Sequence, residues 1–133
     1  MKIIFDDGMV IDKVLTLTAI GNGQYCGGGF CAAPKASLND KTIDICVIDK
    51  VNIFKFLTLV GSYKAGKHLD NKRATKVMSY HKIDHFKMEF EKPVPICIDG
   101  EIKGAKSAEF TIVPNAFNFV IPKGSEYLSK PQN

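Results

Sequence analysis

The chain has 133 residues, 45% hydrophobic and 24% charged, with a formal net charge of +4 at pH 7. That length and apolar content suffice for one domain with its own core, and aliphatic and aromatic residues recur too regularly for a disordered chain. The basic excess, densest at Lys64, Lys67, Lys72, Arg73 and Lys76, is milder than a nucleic-acid binder needs and reads as a solvated face.

No apolar run approaches the length of a bilayer span. The start reaches Asp6 and Asp7 before any long apolar stretch, unlike a secretory leader. Cys26, Cys31, Cys46 and Cys97 include no CxxC pair of the kind zinc sites use. A reduced, cytoplasmic protein with its cysteines in the core is the expectation.

Residues 2–5 read as a strand, with Asp6-Asp7-Gly8 as a hairpin turn and residues 14–20 as the returning strand, placing Leu15, Leu17 and Ala19 on one face. The glycines of residues 21–29 predict a loop with an unusual backbone path. Residues 43–48 form an apolar strand with Asp44 at its entrance. The spacing of Phe54, Leu57, Val60 and Lys64 predicts one helix over 51–68 that ends near Gly66, with Ile53, Phe56 and Leu59 widening its apolar stripe. Strands are then expected at 76–81, 86–90, 94–98, 109–113 and 117–121, with turns at Asp99-Gly100 and Pro114-Asn115. Short strands separated by turns, plus one principal helix, predict a mainly β fold, an antiparallel β-sandwich. Residues 1–124 would be the domain and 125–133 a loose tail.

Candidate chemistry is sparse. Asp99-Gly100-Glu101 either makes a plain hairpin with Glu101 in water or holds two carboxylates rigidly at a cleft edge. The glycine loop offers backbone N–H groups that can cradle an anion, but it lacks the lysine and spacing of a P-loop, so a bend lining a cleft is the better reading. His68, His81 and His85 have no evident third metal ligand and read as surface residues. The stripe Ile53, Phe54, Phe56, Leu57, Leu59 and Val60 reads mostly as core, with a few outer residues as an edge for a membrane or acyl chain.

Three segments, in order, resemble the C-terminal half of the diacylglycerol kinase, sphingosine kinase and bacterial lipid kinase family. They are Gly21-Asn22-Gly23-Gln24-Tyr25-Cys26-Gly27-Gly28-Gly29-Phe30 with Cys31-Ala32-Ala33-Pro34-Lys35-Ala36, then Leu38-Asn39-Asp40-Lys41-Thr42-Ile43-Asp44, and Pro93-Val94-Pro95-Ile96-Cys97-Ile98-Asp99-Gly100-Glu101. The resemblance implies a domain of an enzyme that passes the γ-phosphoryl group of ATP to a lipid hydroxyl such as that of diacylglycerol. It implies Glu101 as general base, and Asp99, Gly100 and Glu101 as the segment facing ATP and Mg2+. It further implies a structural Mg2+ held by Asp40 and by the main-chain carbonyls of Ser37 and Thr42, although Lys41 replaces the family's usual glycine. The Gly-Gly-Asp-Gly-Thr phosphate motif of the family's N-terminal nucleotide-binding domain is absent from this chain. The chain is therefore expected to be inactive alone. It would work with that missing domain on a lipid at the inner membrane face, with no nucleic-acid partner. The alternative is a stand-alone lipid- or protein-binding module without catalysis. Diacylglycerol, a sphingoid base, an undecaprenol-like alcohol and phosphatidylglycerol all remain open as acceptors.

Overall fold

The computed structural model describes residues 1–118, 120 and 122–124. Among these, two antiparallel sheets and one helix make the fold. One sheet has the order β2 (Val10–Asp12), β1 (Lys2–Phe5), β6 (His85–Ile98), β7 (Glu101–Thr111). The other has the order β3 (Leu15–Gly21), β4 (Ile43–Asp49), β5 (Met78–Ile83). The expected mainly β sandwich is what the chain forms.

The strand β4 explains the layering. Its side chains alternate between two faces, and both faces are buried. Ile43, Ile45 and Val47 meet Ile3, Phe5, Phe86 and Met88 of the opposite sheet. Cys46 and Ile48 meet Ala32 of the glycine-rich segment and Tyr63 of the helix α1 (Ile53–Lys64). A central strand covered on both sides reads as an unbroken apolar run, which is why residues 43–48 were conspicuous in the sequence.

The helix begins at Asn52, whose side chain accepts the Lys55 backbone N–H at 2.9 Å. It ends at Lys64, stopped just beyond the Ala65 cap by Gly66, where φ is +69° and a Cβ would lie 2.6 Å from the Cys31 sulfur. Both the left-handed backbone and the close approach require glycine there. The helix is therefore shorter than the expected 51–68, and residues 67–77 continue as successive turns.

Several strand assignments change. The Asp6-Asp7-Gly8 turn leads to the three-residue β2, while residues 14–20 cross into the other sheet and pair with β4. A bulge between Leu15 and Leu17 breaks their common face: Leu15 and Ile20 join the intersheet core, whereas Ala19 packs on the helix side. The two strands expected at 86–90 and 94–98 are one strand, β6, with an irregularity between Glu89 and Val94. Pro93 and Pro95 supply no N–H to the ladder, so their neighbourhood resembled a break. Likewise β7 runs far ahead of the expected 109–113. Phe117 and Asn118 lie outside the strands, and Phe119, Ile121 and the expected tail at 125–133 are beyond the described residues.

Candidate functional site

The Asp99-Gly100 turn joins β6 to β7, closing on the pair Ile98 and Glu101. Asp99 has φ +47° and Gly100 φ +95°, the two left-handed residues of a tight hairpin turn matched to strand twist. Strand β1 pairs with β6 only between Phe86 and Glu89, so the stretch from Val94 to Ala105 is a two-stranded arm. Asp99, Gly100 and Glu101 stand exposed at its tip. Glu101 Oε2 lies 3.9 Å from Lys103 Nζ, a solvent-screened contact that leaves the carboxylate available. Between the arm and β3 runs a cavity of about 710 Å³, walled by Leu15, Ile20, Phe90, Val94 and Ile96 and bordered by Asp99. The structure thus sets Asp99 on the rim of an apolar groove and Glu101 next to it on the turn.

A second set of carboxylates belongs to the other sheet. Asp40 Oδ1 accepts the Thr42 backbone N–H at 3.1 Å and the Thr42 hydroxyl at 2.8 Å, an Asx-turn that leads into β4. Asp40 Oδ2 accepts a hydrogen bond from Lys82 Nζ at 2.5 Å. Lys82 is the cross-strand partner of Asp44 on β4, and its Nζ is 3.9 Å from Asp44 Oδ2. Asp44 is fully buried, and its Oδ1 accepts the Tyr80 hydroxyl proton at 2.6 Å. The Tyr80 oxygen in turn accepts the Lys35 backbone N–H at 3.3 Å. Burial acts against the ionised form of Asp40, but the Lys82 and Thr42 hydrogen bonds outweigh it and hold the carboxyl below its usual range. For Asp44 burial prevails over Tyr80 and Lys82, and its pKa is raised. Lys41 keeps φ +58°, so the loop retains the left-handed turn in which glycine is at ease.

The two clusters share no residue, and among the described residues no group of His, Cys, Asp or Glu side chains converges to cage a metal. Ser37 and Thr42 flank Asp40 on one loop, yet both Asp40 oxygens already have donors from within the chain. Sequence reasoning named Asp40 but missed Lys82 and Tyr80. The signal for them was the opposite-charge pair Asp44 and Lys82, visible only once the β4–β5 register is known.

Other expectations need correction. His68 is fully buried, its ring 4.8 Å from that of Tyr63. Burial lowers its pKa against the weaker pull of the Tyr63 and Ser62 backbone and Asp70. His81 is half-buried against Phe5. His85 bridges Asp6 at 2.6 Å and Glu109 at 2.8 Å, and these hydrogen bonds raise its pKa. Cys31 and Cys46 are buried, and burial pushes the Cys46 thiol to about 11, whereas Cys26 and Cys97 are exposed. The helix stripe divides evenly: Leu59 is buried and Phe56 and Val60 are half-buried, but Ile53, Phe54 and Leu57 are 61%, 79% and 62% exposed. The glycine loop closes on itself through the Cys26 and Phe30 backbones, and Phe30 anchors it beside Tyr63.

Comparison with known proteins fits this geometry. Over residues 3–121 the chain matches the model of the YegS C-terminal NAD kinase beta sandwich-like domain. It is 26% identical over 108 residues to a probable lipid kinase YegS-like protein of Shewanella frigidimarina, covering 81% of this chain and 33% of that protein. It is 25% identical over 117 residues to a diacylglycerol kinase of Bacillus subtilis, covering 88% of this chain and 37% of the relative. A crystal structure of a putative diacylglycerol kinase from Bacillus anthracis superimposes with a TM-score of 0.66 at 25% identity, over 85% of this chain and 37% of that one. The chain thus spans about a third of the length of the proteins it matches. With a matched region this extensive, and two sheets arranged as that match requires, the chain belongs to the YegS C-terminal NAD kinase beta sandwich-like domain family.

Proposed function

We propose that the chain is the C-terminal domain of an ATP-dependent lipid kinase, and that its part in the reaction is to hold the acceptor. The observation that carries this reading is the exposed Asp99-Gly100-Glu101 turn, whose Asp99 borders an apolar groove, in a domain whose relatives are named lipid and diacylglycerol kinases. An acyl chain fits the apolar wall, while the head-group hydroxyl reaches the polar rim. Glu101 receives the hydroxyl proton as general base, and Asp99 faces the nucleotide. Phosphoryl transfer rests on positioning and on neutralising phosphate charge. Asp99, alone or with Glu101, would hold the magnesium that accompanies ATP, and the ion would supply that neutralisation without a complete protein cage, which suits this exposed pair.

The phosphate-binding elements belong to a separate N-terminal domain, so the isolated chain is inactive. The outward ridge of Ile53, Phe54 and Leu57, near Lys50 and Lys55, supports peripheral contact with the inner face of the membrane from the cytoplasm. The test is to isolate the native polypeptide with an antibody against this chain. Transfer of labelled phosphate from ATP to diacylglycerol, a sphingoid base, an undecaprenol-like alcohol or phosphatidylglycerol in vesicles is then measured. Transfer by the longer polypeptide and none by the isolated chain is expected. Turnover by the chain alone, or a folded longer polypeptide that phosphorylates none of these lipids, overturns the reading.

A further inference from the structure

The geometry points to Lys82 as a built-in replacement for a divalent cation: we propose that its ammonium pins the Asp40 loop to the β4–β5 sheet, so that the domain folds without a metal there. This goes beyond the kinase reading and does not depend on it.

Three observations converge. The ammonium reaches Asp40 Oδ2 at 2.5 Å and lies 3.9 Å from Asp44 Oδ2, between a loop carboxylate and a strand carboxylate. Asp44 Oδ2 is buried and has no hydrogen-bond donor of its own, so the carboxylate pair is built around a shared cation. The remaining oxygens are closed to a newcomer, Asp40 Oδ1 by Thr42 and Asp44 Oδ1 by Tyr80.

The chemistry favours the tethered charge. Magnesium sheds its water reluctantly and binds hard oxygens in a strict octahedron. Lysine is held beside the site by β5, and its attachment gives it an effective concentration that a free ion at cellular levels does not match. Lys41 and Lys35, both exposed on the same loop, add positive charge that repels a divalent ion further. The ammonium ties the loop to the sheet with a residue already placed by the β4–β5 register.

The backbone amides of Lys41 and Thr42 report on this loop residue by residue. Titrating the 133-residue chain with MgCl2, with EDTA as the reference, is expected to leave both amide resonances and the melting temperature unchanged. Lys82→Ala is expected to melt several degrees lower in EDTA. It should then regain that loss in millimolar MgCl2, with saturable shifts at Lys41 and Thr42, because the emptied carboxylates now accept the metal. A saturable wild-type shift at these amides overturns the proposal, and so does a folded Lys82→Ala chain whose amides and melting ignore magnesium. If Lys82→Ala is unfolded with and without magnesium, the wild-type titration still decides: shifts refute the proposal and silence supports it. None of these readouts involves turnover, so their failure leaves the kinase reading standing or falling by itself.

Discussion

The two acidic clusters of this domain are built on opposite principles. At the start of β4 the carboxylates of Asp40 and Asp44 are withdrawn from water and given partners from within the chain: Thr42, Tyr80 and Lys82. At the tip of the β6–β7 arm, Asp99 and Glu101 stand in solvent, with Lys103 as a distant neighbour. A buried carboxylate without partners costs the fold heavily, so the first cluster answers to folding. An exposed pair costs the fold almost nothing and can wait for charge brought by a ligand. Acidic residues in one short domain thus divide into those that hold the chain together and those that remain available for chemistry.

That contrast can be broken at either end. The largest effect is expected for Glu101→Gln in the two-domain kinase, where turnover should fall by about 10²–10⁴-fold, the usual share of a general base. Melting of the isolated chain should not move, and a variant with wild-type turnover would remove Glu101 from the reaction. Tyr80→Phe should act in the reverse sense. It takes the hydroxyl donor from buried Asp44 Oδ1 and should cost about 2 kcal/mol in urea unfolding. An unchanged midpoint would mean that Asp44 finds another donor.

Lys41→Gly sharpens the comparison more gently. It relieves a left-handed φ of +58° and should stabilise the chain by about 1 kcal/mol or less, since glycine gains freedom in the unfolded state as well. The smallest effect concerns His85, whose pKa is raised by Asp6 and Glu109. The unfolded chain gives up this proton first, so the contribution is full below the ordinary value of 6.5 and is lost as pH rises through the higher folded one. Comparing melting curves of the wild type and His85→Gln isolates this term, because the lowered pKa values of His68 and His81 act in the other direction and are common to both. Identical pH profiles would show that the bridge is thermodynamically silent.

Much of the scaffold was legible because it is written locally. Residues 2–5 and 43–48 carry compact apolar runs, residues 86–90 alternate apolar and charged, and the helix carries its spacing and its Gly66 stop. The sheet partners were not legible. Asp6-Asp7-Gly8 announces a hairpin equally well whether the returning strand is β2 or β3, and β2 has three residues with little pattern. Residues 101–108 hid in plain view, since an arm exposed over most of its length has no apolar face to alternate with a polar one. The helix stripe was legible only in outline, because spacing reveals a stripe but not how much of it is covered. The candidate site split in the same way. The Asp99-Gly100-Glu101 turn is contiguous and could be named from sequence, whereas Lys82 reaches Asp40 across 42 positions and needs the fold to be found.

The pairing of β1 with β6 sets a schedule for synthesis on the ribosome. Phe5 pairs with Phe86, so β1 must wait for about 80 further residues, on the order of 4–16 s at ordinary elongation rates. During that interval Ile3 and Phe5 emerge without the partners that bury them. The sheet of β3, β4 and β5 is complete by Ile83, so the nascent chain can close that layer before β1 has its β6 partner to dock against.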